Sequence, residues 1–412
     1  MKKVLWKNIL IAAFILCFIS LWGTGAMAYD GYNNPIRVHL AGTSGSVSVS
    51  VSYGSYDVAG TSVAAGQSVS LGSGQTLSSR DGEGRFVYNN KEYRGDLINS
   101  GGYIVNKLGM EEYLYSVVSQ EIGGYSPGIE ALKAQAVAAR SFACYRKQNP
   151  RTAYYDLYAG TSDQAYGGYS GENYSTDTAS VSYRIREACN ATKGQVLYYD
   201  GSVVQGIYCA NTGGHSADAA DVWGSSIPSL KGVAVPYDSQ SFVADNYSSG
   251  GTYQAVKMPT GYQWRKTFAC ADLVTRINST SGQNLGALED IVIERGSGGY
   301  AKNVTFKGSN ATVTLSGERV RTALGLRSAS FSVVFGESLS AVQPFSLSYL
   351  DASGFDSFLN RSGRVVNFQG RGYGHSVGMS QWAACVMAYQ GMNYKDILTY
   401  FYTGVAIESF KG

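Results

Sequence analysis

Glu121 lies in the run Tyr113–Lys147, YLYSVVSQEIGGYSPGIEALKAQAVAARSFACYRK, between an apolar segment (Val117, Val118) and a Gly-Gly-Tyr turn that leads into a helix. A carboxyl group in water-poor surroundings has a raised pKa, which lets it hold a proton near neutrality and donate it. The plainer alternative is that Glu121 simply ends one helix ahead of the next. Two further constellations hold residue types with chemical capacity. The segment Gly213–Trp223, GGHSADAADVW, carries His215, Asp218 and Asp221, from which a metal site or a Ser–His–Asp arrangement can be sketched. Only three histidines occur (His39, His215, His375), and no H-E-x-x-H or C-x-x-C spacing, so metal chemistry ranks low. Solvated loop acids and a capping aspartate explain Asp218 and Asp221 at least as well. The third constellation is Gly370–Gly378, GRGYGHSVG, which runs into Met379-Ser-Gln-Trp-Ala. Its glycines can reach positive φ or admit another backbone, but it lacks the Lys-Ser/Thr end of a phosphate loop. A structural turn is the simpler reading of that loop.

The elements that must position these residues are strands first, then helices. From Ile36 to about Ile104 the chain reads as short strands. Val47–Val51 alternates apolar with small polar residues, and turns follow at Gly54, Gly60, Gly66, Gly72 and Gly74. Arg85–Tyr88, then Asn89-Asn90, then Lys91–Gly95 has the pattern of a hairpin. Helical spacing takes over at Met110. Ser126 suits an N-cap and Pro127 a first helical position. Ile129, Leu132, Ala136, Ala139 and Ala143 then fall on one face, small enough to let another element approach closely. Strand-like runs return at Val196–Tyr199 and Val203–Cys209. A middle section, roughly Leu230 to Val334, mixes a helix over Ala271–Ile277 with strands at Ile291–Glu294 and Val304–Lys307. The last section opens on a strand at Val365–Phe368, passes the Gly-rich loop and closes on helices near Met379–Tyr389 and Asp396–Phe401. No period of the kind that marks a solenoid is visible. The predicted fold class is α+β: a strand-rich N-terminal unit over 29–104, packed on a mixed α/β region over 105–412 with an Ala-rich central helix. Within the latter, 230–350 is a strand-rich elaboration.

The N-terminus points to export. Lys2, Lys3 and Lys7 precede the apolar stretch Ile9–Trp22, and Ala26-Met27-Ala28 is an A-x-A cleavage pattern, so residues 1–28 read as a signal peptide and the mature chain starts at Tyr29. That stretch is short for a spanning helix, which needs roughly 20 apolar residues. No later segment is long and apolar enough, so no transmembrane segment is expected after cleavage. A formal charge of +3 gives no reason to invoke nucleic acid. Of six cysteines, Cys17 belongs to the signal; Cys144, Cys189, Cys209, Cys270 and Cys385 are too scattered for a disulfide framework. Buried thiols acting as small hydrophobes, with room for one pair, are the expectation. The 32 tyrosines suit flat contacts with pyranose rings, although most must be ordinary strand and surface residues.

Taken together, these blocks resemble the stage II sporulation protein D family (SpoIID/LytB), exported bacterial proteins that act on peptidoglycan. Four segments carry the resemblance: Tyr93-Arg-Gly95 with Val105-Asn106; Glu111-Glu-Tyr-Leu114 through Glu121 to Ala131–Arg140; Gly213-Gly214 with Asp221-Val-Trp223; and Gly372–Trp382. Ser162–Gly168, SDQAYGG, is similar to a further family segment, and the likeness spans about Asn34 to Ile407. It implies a lytic transglycosylase, cleaving the β-1,4 bond between N-acetylmuramic acid and N-acetylglucosamine to leave 1,6-anhydro ends. One carboxyl is acid first and base second, unlike the two carboxylates of ordinary glycosidases. Glu121 occupies the family's catalytic position. The resemblance further places Arg140, His375, Gln381, Tyr125 and Gln164 near the glycan. Arg140 would hold an acetamido or lactyl oxygen, His375 would orient Glu121 or a sugar hydroxyl, and the Gly-rich loop would wall the groove.

Two departures from the family pattern matter. Tyr158 and Asp163 stand where zinc-binding members carry cysteines, so no metal and no cofactor are expected. Glu121-Ile122 replaces the usual Glu-Met pair, which leaves the acid's surroundings apolar. Two non-enzymatic readings stay open beside the enzyme. LytB-type relatives modify a cell-wall amidase, which makes an amidase a candidate partner alongside peptidoglycan glycan strands. A structural wall protein, suggested by the Gly/Ser/Tyr-rich N-terminal region, would have no need of Glu121.

Overall fold

A computed structural model describes residues 34–125, 127–178, 180–248, 251–259, 262–336 and 365–411. The signal peptide, Cys17 and the cap assigned to Ser126 therefore lie outside the described residues. Among the described residues strands alone run to Leu108, and helices and sheets mix from Met110 onward, which makes the chain α+β. It divides into two compact units between Gly109 and Met110.

The described part of the first unit is built from ten strands: β1 (Ile36–Gly42), β2 (Val47–Tyr53), β3 (Ser55–Val58), β4 (Thr61–Ala64), β5 (Ser68–Leu71), β6 (Gln75–Ser79), β7 (Arg85–Tyr88), β8 (Lys91–Arg94), β9 (Asp96–Ser100) and β10 (Tyr103–Leu108). Within this unit β1-β10-β9-β6-β3-β4 are neighbours in one sheet and β5-β2-β7-β8 in another. Their inward residues, among them Ile36, Val38, Tyr56, Leu71, Leu77, Phe86 and Leu97, are fully buried. Asn89 and Asn90 both take positive φ (47° and 58°), as a two-residue type I′ hairpin requires. β10 carries the unit past the Ile104 limit expected from sequence, because its antiparallel register with β1 pairs Leu108 with Ile36. Gly95 and Asn106, both in segments that carry the resemblance, are structural. A Cβ on Gly95 would lie 2.3 Å from the Lys107 carbonyl. The Asn106 amide donates to the carbonyls of Arg94 (2.8 Å) and Asp96 (2.9 Å).

The second unit is organised by helices α1 (Met110–Glu121) and α2 (Ile129–Gln148). Short α3 (Gly168–Gly171), α4 (Val181–Ala191) and α5 (Ala219–Trp223) follow, then α6 (Cys270–Ser281), α7 (Gly317–Leu324), α8 (Gln381–Tyr389) and α9 (Tyr394–Phe401). α2 is buried nearly all round from Ala131 to Cys144. Its alanines let α1, α4, α8, α9 and the strand Gln195–Tyr199 close in on it. Its start differs from the sequence expectation. Gly128, not Pro127, borders the first helical turn, and it gives no side-chain cap. Pro127 lies one residue further out, where its carbonyl accepts from Arg184 Nη1 at 2.9 Å.

The run Val203–Cys209 is no continuous strand either; only Ser202–Val203 and Tyr208–Cys209 pair. Between them Gly206 presses against α2, and a Cβ there would sit 2.2 Å from the Ala138 carbonyl. The middle section contributes three-stranded antiparallel sheets over Gln263–Ala269, Val365–Arg371 and Phe331–Gly336, and over Leu288–Arg295, Ala301–Gly308 and Thr312–Ser316. It shares one apolar core with the helices: Val137 and Ala138 of α2 belong to the same buried cluster as Phe268, Phe306, Phe368, Met387 and Phe401. Cys144, Cys189, Cys209 and Cys385 are buried, and Cys270 is half-buried. Among the described residues no helix is long and apolar enough to cross a membrane.

Candidate active site around Glu121

α1 ends on Glu121, just after the buried Val117 and Val118 and just before the buried Ile122. Being the last residue of the helix lets the side chain leave the core while its stem stays in apolar surroundings. Glu121 Oε1 accepts from the Ala165 backbone N–H at 2.8 Å, and Oε2 accepts from Gln381 Nε2 at 3.3 Å. The Tyr208 hydroxyl bonds the same carboxylate. Burial raises the Glu121 pKa above its ordinary value; the bonds from Ala165, Gln381 and Tyr208 favour the charged form and pull the other way, without overcoming the burial.

The loop that supplies the Ala165 N–H is tied to α1 at several points. Ser116 Oγ accepts from Gly167 N at 3.0 Å, and Gln120 Nε2 donates to the Gly171 carbonyl at 2.8 Å. Glycine is required at 171, since a Cβ there would meet Ser116 Oγ at 2.6 Å. Gln164 then sets the direction of a hydrogen-bond chain. Its Oε1 accepts from Tyr113 Oη (3.0 Å), and its Nε2 donates to the Ala139 carbonyl (3.2 Å) and to Tyr208 Oη (3.0 Å). Because Tyr208 Oη receives a hydrogen from Gln164, its own proton is left to point at Glu121. Burial pushes both phenols, Tyr113 and Tyr208, well above the usual tyrosine range, so each stays a donor.

The other wall comes from the Gly-rich loop and α8. Tyr208–Cys209 pairs in parallel with Met379–Ser380, which delivers Gln381 at the start of α8. The glycines of this loop serve close approach of backbone: a Cβ on Gly378 (φ +72°) would lie 2.1 Å from the Ile207 carbonyl, and one on Gly374 would lie 2.9 Å from Cys209 Cβ. Ser380 Oγ caps α8 through Ala383 N (3.2 Å) and donates to Asp238 Oδ1 at 2.5 Å. Asp238 is fully buried, and its Oδ2 accepts from Thr212 N (3.0 Å), Thr212 Oγ1 (2.5 Å) and Gly214 N (3.1 Å). Burial raises its pKa, against the pull of those donors.

Among the residues singled out from sequence, Glu121, Gln164 and Gln381 thus converge on one cluster. Tyr125 stands beside it, its ring edge-on to Trp382 at 5.5 Å. His375 reaches the cluster through the backbone: its Nδ1 accepts from Val377 N at 3.1 Å, and its ring also bonds the Tyr208 main chain. Burial lowers its pKa to about 4, which makes it a neutral imidazole. Arg140 is not in the cluster. Its guanidinium is buried and bonds the Glu111 carboxylate (3.0 and 2.5 Å) and the carbonyls of Gln195 (3.1 Å) and Cys189 (3.2 Å). The His215–Asp218–Asp221 constellation comes apart. Asp218 caps α5 through Ala220 N, Asp221 accepts from Ser297 N and Oγ, and His215 Nδ1 lies 2.6 Å from the Ser216 carbonyl. Asp163, in the segment compared with zinc binders, is held by Arg151 and Arg146 and accepts from Tyr158 N. No group of three or more His, Cys, Asp or Glu side chains able to hold a metal ion occurs among the described residues. Sequence reasoning missed Tyr208 and Asp238; both need pairings across long stretches of chain to be seen. The result is one carboxyl with a pKa raised by burial and ringed by neutral donors, an arrangement able to give a proton to a bound oxygen and take one back.

Comparison with known proteins gives this geometry a family context. Residues 99–199, which include Glu121, Arg140 and Gln164, match the model of the stage II sporulation protein (SpoIID) family. An uncharacterized protein of Brachyspira hyodysenteriae is 27% identical over 343 residues, covering 82% of this chain and 77% of the relative. Stage II sporulation protein D of Bacillus subtilis is 26% identical over 316 residues, 74% of this chain and 75% of its own. The amidase enhancer of the same organism is 27% identical over 296 residues, 68% of this chain but 38% of its own. The resemblance carried by the motifs therefore extends over most of the chain.

Proposed function

We propose, from the premise of that shared domain, that the protein is an extracytoplasmic peptidoglycan lytic transglycosylase in which Glu121 is the only acid and base. The protonated Glu121 gives its proton to the bridging oxygen as the muramoyl C1–O bond breaks. The resulting carboxylate takes the proton from the muramoyl C6 hydroxyl as that oxygen closes on C1. A 1,6-anhydro ring forms, the acid is regenerated and no water is consumed. Ala165 N–H, Gln381 and Tyr208 steady the carboxylate between the two transfers, while burial favours its return to the protonated state. The observation that carries this reading is a half-buried carboxyl at the end of α1, held by the neutral donors Ala165 N–H and Gln381 Nε2 and by the Tyr208 hydroxyl. Peptide-free glycan strands incubated with the chain should release soluble products ending in 1,6-anhydro-muramic acid by mass spectrometry, and Glu121→Gln should release none. Reducing-end products would mean hydrolysis, and would overturn the single-carboxyl mechanism.

The similarity to the amidase enhancer supports a second reading, in which the chain binds glycan and stimulates a cell-wall amidase without cleaving it. In that case Glu121→Gln leaves the stimulation intact.

A further inference from the structure

Trp223, at the end of α5, keeps 44% of its surface exposed, unusual for the largest apolar side chain. It forms one wall of a cavity of about 480 Å³ whose other polar lining is Thr280, Ser316, Glu318, Arg319 and Thr322. That volume is in the range of sites that hold small ligands. The lining is fixed by its own bonds. Glu318 is clamped by Arg321 at 2.9 and 2.6 Å, Thr322 Oγ1 donates to the Glu318 carbonyl at 3.0 Å, and Ser316 Oγ accepts from Arg319 N at 3.3 Å. Arg319 spends Nη2 on the Thr280 carbonyl (2.9 Å), while its Nε and Nη1 meet no partner among the described residues. The cavity thus offers a flat aromatic face, hydroxyl oxygens that can still accept, and guanidinium donors whose direction is already set.

The cavity is also joined to the Glu121 site. The His375 ring lies against Trp223, with centroids 5.5 Å apart, and the same ring bonds the Tyr208 backbone. Tyr208 in turn bonds Glu121 through its hydroxyl. One histidine and one tyrosine therefore separate the exposed indole from the acid.

The geometry points to an accessory saccharide subsite at Trp223, which takes an acetamido-bearing pyranose of the same strand that passes Glu121. The sugar's C–H face lies on the indole, and its acetamido or hydroxyl oxygens accept from Arg319. This subsite rests on the glycan reading of Glu121. It holds the strand away from the cleaved bond, so it acts on affinity for long substrates.

The test is calorimetric titration of the full chain carrying Glu121→Gln with tetra-N-acetylchitotetraose, beside the same chain with Trp223→Ala or Trp223→Phe. Trp223→Ala should weaken binding by at least about fivefold, the loss expected when an aromatic anchor is truncated, and Trp223→Phe should retain most of it. The Trp223 indole N–H resonance should shift on titration in the Trp223-containing chain. Equal binding by all three chains, or an indole signal that does not move, overturns the subsite. Displacement of the sugar by a free stem peptide would also overturn it, since the site would then read peptide. The two readings fail separately. Cleavage of peptide-free strands by the chain that keeps Glu121, with an unmoved Trp223 signal in the titration, removes the subsite alone. A shifted Trp223 signal, with no cleavage of those strands by the chain that keeps Glu121, removes the transglycosylase and leaves the subsite standing.

Discussion

Glu121 and Asp238 occupy neighbouring regions of the second unit, joined by the Ser380–Gln381 dipeptide at the head of α8, and both carboxyls have pKa values raised by burial. They differ in what their oxygens do. Asp238 accepts three bonds at Oδ2 and one at Oδ1, from groups that belong to the turn Thr212–Gly214 and to Ser380. Glu121 has one short backbone bond, one amide at 3.3 Å and a phenol. Asp238 is fully buried, whereas Glu121 keeps partial access to solvent. Burial alone does not make a carboxyl chemical. Saturated by local donors, it becomes a fastener for loops; left with spare acceptor capacity at a surface, it can exchange a proton with a ligand.

Substitutions can break this comparison from either side. The largest effect should come from Glu121→Gln, which keeps the shape and removes the donor. Turnover of glycan strands should fall by roughly 10²–10⁴ or more, with strand binding retained. Wild-type turnover in that variant would break the assignment. Asp238→Asn should act on stability instead, because an NH₂ would face the Thr212, Gly214 or Ser380 donors. We expect a loss of about 2–3 kcal/mol in denaturant unfolding. Strand turnover by the chain that stays folded should be unchanged, and a lost rate without lost stability would put Asp238 in the chemistry.

Tyr208→Phe sharpens the comparison by removing one of the few donors on Glu121. Losing a donor to the charged form raises the acid's pKa further, so the alkaline limb of the pH–rate profile should move up while the maximum falls about tenfold. An alkaline limb that stays in place would mean the phenol does not act on Glu121. The smallest effect concerns folding. Glu121 has a folded pKa above its unfolded value, so its contribution to stability is fully present below the unfolded value. That contribution is lost as pH rises through the folded value. Glu121→Gln should therefore melt higher than wild type at pH 8, and the gap should close near pH 4. A gap that widens on acidification would reverse the sign of the burial effect.

Much of this was legible from the chain itself, where the signal was local. The Asn89-Asn90 hairpin and the Ala-rich face of α2 follow from residue types at fixed spacing, and so do the strands near Ile291 and Val304. Glu121 stood out because an acid after Val117-Val118 conflicts with its surroundings. Pairing over long separations was not legible. Tyr208 reaches Glu121 only because the strand Tyr208–Cys209 lies beside Met379–Ser380, and Asp238 matters only because Ser380 arrives next to Thr212. Arg140 illustrates the reverse case. Its place on the motif helix suggested a ligand contact, whereas its fork closes on Glu111 and two carbonyls. A motif residue and a site residue look alike until the partner is known.

Central to this account is a single carboxyl that burial keeps protonated more readily than an ordinary glutamate. Carbon-detected NMR titration of the Glu121 side-chain carboxyl, identified by the signal missing from Glu121→Gln, measures that directly. The account predicts a midpoint above the ordinary value of about 4.5, moving higher still in Tyr208→Phe. A midpoint at or below 4.5 would contradict it, because Glu121 would then be a carboxylate with no proton to give.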